Sequence, residues 1–189
     1  MNVELKAGDV FLTRGNSILS RLIRFFSRGI GESRTAVNHA GLIAEPGDLH
    51  TAVAIEAIRF VTRRTLWSGY GPPRTDCVAI FRANNLTEDD IRKIVARAQS
   101  MVGRKYGMIA IVAHLLDWCL LGAYFFRRLV PGMRYPICSW LVADAFAQAG
   151  KNFGVSPGEA EPDDIWDFVK SHEPAYYVQI HPLERLSDT

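Results

Sequence analysis

At 189 residues, 48% hydrophobic and 22% charged, the chain has the length and apolar content for one domain, residues 1–189, with a core of its own. A formal net charge of +2 is too small to argue for a nucleic-acid partner. The three cysteines, Cys77, Cys119 and Cys138, are odd in number and widely spaced, a pattern of neither a disulfide framework nor a CxxC zinc site, and one that fits a reducing compartment. The first residues, Met1 to Asp9, lack the apolar core of a signal peptide. A cytoplasmic location is therefore expected, with membrane association as the alternative.

In chain order, Asp9–Thr13 has the apolar, β-branched character of a short strand introduced by Gly8. Asn16 or Ser17 caps a helical segment over 18–28 that mixes apolar and basic residues, closed by Gly29 and Gly31. Val37–Ala44 reads as a strand stopped by Glu45-Pro46-Gly47-Asp48, Val53–Ile58 as a second strand and Cys77–Phe81 as a third. Between the last two lies an Arg-rich stretch with a loop signal at Gly69-Tyr70-Gly71-Pro72-Pro73. Thr87 with the acids 88–90 opens a helix through Ile91, Ile94, Val95, Ala98 and Met101 to Gly103. A long apolar segment, 108–126, follows Tyr106. A helix then starts near Cys138 and ends at Gly150; another starts near Pro162, and Tyr176–Ile180 is a closing strand. The expected class is α+β, a small and largely antiparallel sheet, or partial barrel, packed with helices.

Cys138 carries the strongest chemical signal. Pro136 discourages helix before it, so the cysteine falls in the first helical turn, where unpaired N–H groups and the helix dipole favour a thiolate. A thiolate there suits covalent catalysis, although a buried structural cysteine has the same local pattern. Such a nucleophile needs a base and an orienting group. His39, in a strand and followed by Ala40-Gly41, is the best placed of five histidines, because small neighbours admit a helix terminus or a substrate backbone. Glu56 interrupts an apolar strand and needs a partner if buried. If its strand pairs with that of His39 across the 45–51 connection, it faces the imidazole; otherwise it is an edge-strand carboxylate in solvent.

The ordered motifs Gly8-Asp9-Val10-Phe11-Leu12-Thr13-Arg14-Gly15, Asn38-His39-Ala40-Gly41, Ile55-Glu56-Ala57, Gly103-Arg104-Lys105-Tyr106, Cys138-Ser139 and Pro162-Asp163-Asp164 resemble the YiiX/YebB-like group of permuted NlpC/P60 proteins. The resemblance spans about Gly8 to Trp166. It implies a circularly permuted papain-like fold, with Cys138 as nucleophile, His39 as base and then acid, and Glu56 as orienter. It aligns Tyr106 with a tyrosine near the pocket, where a hydroxyl can donate to substrate; a core aromatic explains that residue equally well. The backbone N–H of Cys138 is a further oxyanion donor. The stretch from Tyr106 to Cys138 is longer and more apolar than the family's pattern.

The expected activity is thiol-dependent cleavage of an amide, of a peptide or cell-wall type, or of an ester, with no metal or organic cofactor required. Lipid acyl transfer at a membrane surface and non-catalytic capture of an amide or lipid are the alternatives. Residues 18–30, with Arg21, Arg24 and Arg28 on one helical face, and the apolar run 108–126 are the two candidate membrane contacts. An ordinary core-facing helix accounts for the first as well, and Asp117 argues against a bilayer-spanning helix for the second.

Overall fold

Strand-forming runs separated by short connections pair into one antiparallel sheet. The protein is described here by a computed structural model covering residues 3–15, 36–74, 76–105, 138–175 and 177–187. The strands are β1 (Val10–Arg14), β2 (His39–Glu45), β3 (Val53–Ala57), β4 (Val61–Thr65), β5 (Cys77–Ala83) and β6 (Tyr177–Arg185), in the spatial order β4-β3-β2-β1-β5-β6. Every neighbouring pair is antiparallel. The turn between β2 and β3 is fixed by Asp48, whose Oδ1 accepts from the backbone N–H groups of His50 at 2.9 Å and Thr51 at 2.8 Å.

Alternation along the strands divides the core in two. Val10, Leu12, Ala40, Leu42, Ile55, Ala57, Ala79 and Phe81 point to one face and pack against helices. Phe11, Ile43, Ala54, Val78 and Ile80 point to the other, where Leu5, Leu66, Tyr70 and Leu186 cover them. Among the described residues the helices are α1 (Leu66–Tyr70), α2 (Glu88–Gln99), α3 (Cys138–Ala147) and α4 (Pro162–Ser171). Thr87 and Asp90 form a reciprocal cap at the start of α2, and Glu161 and Asp164 do the same for α4, with Pro162 in its first turn.

Buried polar groups tie the elements together. Asp9 is 1% exposed and receives two 2.7 Å bonds from Arg82. Asn38 Oδ1 accepts from Gly15 N at 2.7 Å, and Asp163 Oδ1 accepts from Ala36 N at 3.1 Å, so the start of α4 anchors the entry to β2. Ser139 Oγ donates to the Ala160 carbonyl at 2.6 Å, fixing the first turn of α3 against the lead into α4.

Strand and helix positions match the sequence pattern for β1, β2, β3, β5, α2, α3 and α4. The Arg-rich stretch, to which the sequence pattern assigns no element ahead of the loop signal at 69–73, forms β4 followed by α1, a five-residue helix capped by Thr65, whose side chain accepts from Ser68 N at 3.2 Å. The closing strand is longer than expected, running to Arg185 through Pro182; as an edge strand, β6 tolerates a proline and polar residues. The expected cap at Asn16 or Ser17, the segment 18–30, Tyr106 and the run 108–126 lie outside the described residues. Among the described residues no helix is long and apolar enough to cross a membrane.

Candidate functional site

Glu56 is the centre of the site, and sheet register explains its neighbours. Its direct partners are Gly41 on β2 and Thr62 on β4. Residues two positions away on each neighbouring strand share its face and stand diagonal to it. On β2 that residue is His39; on β4 it is Arg64. They flank the carboxylate from opposite ends, since Arg64 pairs with Ala54 while His39 lies toward the other end of β3.

Both carboxylate oxygens are used. Oε2 lies 2.7 Å from His39 Nε2, Oε1 accepts from Arg64 Nε at 2.7 Å, and the Tyr70 hydroxyl donates to Oε2 at 2.5 Å. Glu56 is fully buried, which excludes the solvent-facing edge-strand arrangement. Burial alone would raise its pKa, but the hydrogen bond and charge of His39, with Arg64 and Tyr70 beyond, outweigh this and hold the carboxyl well below the usual range. Glu56 is therefore an anion, and an acceptor only.

Cys138 is the first residue of α3 and is 5% exposed; the His39 side chain is 16% exposed. Burial by itself would favour a neutral imidazole. The negative charge of a Cys138 thiolate and a hydrogen bond with that side chain, followed by the Glu56 bond and charge, instead push His39 up. With Nε2 facing Glu56, Nδ1 is the ring nitrogen left for the sulfur. Cys138, His39 and Glu56 thus come together as a connected series, while Tyr106 lies outside the described residues.

Gly41 has a different part from the one its size suggested. A Cβ there would run into the ring of Phe11, which occupies the space. That ring stands 6.4 Å from His39 and edge-on at 5.6 Å from Tyr70, an apolar wall beside the ion pair rather than an opening for substrate. Ala40 points to the opposite, helix-packed face.

Arg64 and Tyr70 escaped the sequence reading. A carboxylate buried in a central strand needs more than one donor, but Arg64 stands out as one only through the pairing of β4 with β3 across the turn at 58–60. Tyr70 sits between glycines in loop-like composition, and nothing local marked it.

No family model matches the chain, and no curated protein matches it. Among solved structures, it is similar to the crystal structure of the metalloprotein yiiX from Escherichia coli O157:H7, at TM-score 0.52 and 16% identity over 95% of this chain and 86% of that one. The fold is YiiX-like. That likeness, an antiparallel sheet packed against helices, extends over nearly the whole chain.

Proposed function

We propose that the protein is a thiol enzyme of the permuted NlpC/P60, papain-like kind that cleaves an amide or ester bond through an acyl-Cys138 intermediate. The observation that carries this reading is His39, bonded to Glu56 at 2.7 Å and electrostatically coupled to Cys138 at the start of α3. The raised pKa of His39 favours a thiolate–imidazolium pair. The thiolate attacks the substrate carbonyl, and the backbone N–H of Cys138, at the helix start, serves as the proposed donor to the oxyanion. The carbon–nitrogen or carbon–oxygen bond then breaks, and the imidazolium gives its proton to the leaving group. Water next gives a proton to the neutral imidazole, its oxygen attacks the thioester, and the thiolate leaves with the pair restored. Glu56 stays ionised throughout and orients the ring. Tyr106 is proposed as a substrate-facing donor on the strength of the family motif.

An alcohol or amine in place of water in the second half makes the same chemistry an acyl transfer, including transfer between lipids. A module that binds amides or lipids without turnover would keep the same residues. The neighbouring structure is named a metalloprotein, but the described residues of this chain do not fit a metal: none of their His, Cys, Asp and Glu side chains form a group of three or more suited to one. At the site itself, Arg64, Tyr70 and His39 already occupy both Glu56 oxygens. No step here is routed through a metal.

The test is a panel of peptide, cell-wall-type and lipid amides and esters, with intact-mass detection of an acyl adduct. An adduct on the wild type, absent from both Cys138→Ala and His39→Ala, supports the reading. Turnover that survives Cys138→Ala contradicts it.

A further inference from the structure

The strand that carries Arg64 and the short helix that carries Tyr70 both bring a donor to the Glu56 carboxylate. Arg64 takes Oε1, and Tyr70 takes Oε2 together with His39. The guanidinium carbon also stands 5.6 Å from the centre of the Tyr70 ring, within cation–π range. Gly69 makes this approach feasible: a Cβ there would lie 2.9 Å from Arg64 Nη2 and 3.0 Å from both Nε and Cζ.

We propose that Arg64 and Tyr70 are positioning residues that clamp the Glu56 carboxylate so that it holds His39 toward Cys138, with Gly69 leaving the space the guanidinium needs. This rests on the reading of Cys138 and His39 as a working pair. A glutamate side chain has several rotatable bonds, and one hydrogen bond to His39 does not fix it. Arg64 sets Oε1, and the Tyr70 hydroxyl sets the direction from which Oε2 remains open to Nε2. Burial and the Glu56 charge keep Tyr70 protonated, so it remains a donor. The clamp is part of the fold: Thr65 caps α1, and Leu66 N bonds to Ala52 O at 2.9 Å, tying α1 to the head of β3.

Position and charge separate in the variants. Tyr70→Phe removes a neutral donor and leaves Glu56 a stronger base toward imidazolium, so an effect of charge alone leaves Cys138 as reactive as before or more so. Gly69→Ala displaces the guanidinium and keeps its charge. Two readouts apply to the full-length chain: alkylation of Cys138 by iodoacetamide at pH 6, and the downfield N–H proton resonance of His39 in nitrogen-15-labelled protein. The expected result is alkylation about tenfold slower in Tyr70→Phe, Gly69→Ala and Arg64→Gln, with part of the rate recovered in Arg64→Lys. The N–H signal, sharp in the wild type, broadens or disappears in the first three. Wild-type rates with an unchanged N–H signal in Tyr70→Phe and Gly69→Ala overturn the proposal, whether or not Arg64→Gln folds. A wild-type Cys138 no faster than a free thiol, with the N–H signal still lost in the variants, contradicts the catalytic reading and leaves the clamp standing.

Discussion

His39 Nε2 and Glu56 Oε2 meet at 2.7 Å across adjacent antiparallel strands, because Gly41 pairs directly with Glu56 and His39 lies two residues before it. Gly41 is also where the ring of Phe11 fits. Strand register therefore fixes both the hydrogen bond and the apolar wall beside it. The same register sets Arg64 on the far flank, so one buried carboxylate links two basic groups on separate strands.

Glu56→Gln tests this link through stability. A glutamine offers one oxygen where Arg64, Tyr70 and His39 use two, so its amide nitrogen meets a donor in a fully buried place. The loss is about 3 kcal/mol, the scale of breaking one member of a buried ionic network. Urea denaturation reads it directly. A variant as stable as the wild type contradicts the arrangement around Glu56.

The two shifted groups give stability opposite pH limbs. Glu56 titrates lower when folded, so its contribution is present above the ordinary value of 4.5 and is lost as pH falls through about 2. His39 titrates higher when folded, so its contribution is complete below 6.5 and is lost as pH rises through about 10. Together they place the site's greatest contribution between 4.5 and 6.5. Thermal melts from about pH 2 to about pH 10 check this: Glu56→Gln flattens the acid limb, and His39→Ala flattens the alkaline one.

Gly41→Ala puts a methyl group where the Phe11 ring lies, and Phe11 is fully buried and has nowhere to retreat. Overpacking of this kind costs about 1–3 kcal/mol. Phe11→Leu in the same background gives back part of the loss, which a double-mutant cycle measures. Additive losses in that cycle would show that the two residues do not contend for the space.

Much of this site was legible because short apolar runs bounded by turn residues marked β2 and β3, and the Asp48 turn between them favours antiparallel pairing. Once those strands pair, a glutamate breaking the apolar run of one and a histidine opening the other are diagonal neighbours. The helix signals at Thr87 and Pro162 were equally plain, since caps are local chemistry. Arg64 and Tyr70 were not legible. Val61-Thr62-Arg63-Arg64-Thr65 has too few apolar residues to show a strand period, and its strand character comes from pairing with β3. Tyr70 depends on a five-residue helix that its own sequence scarcely favours; burial against Leu66 and Phe11 supports it there. Both residues are specified by tertiary contact, which single-chain patterns do not encode.

The proposed chemistry requires Cys138 to be an activated thiolate sustained by His39. The most direct measurement is the rate of Cys138 alkylation by iodoacetamide between pH 4.5 and 9, in the wild type and in His39→Ala, with Cys77 and Cys119 replaced by serine in both. Rapid labelling of the wild type should persist well below the pH at which an ordinary thiol, with pKa about 8.5, becomes unreactive, and should be lost at acidic pH in His39→Ala. A wild-type rate that follows an ordinary thiol, unchanged in His39→Ala, would contradict that chemistry.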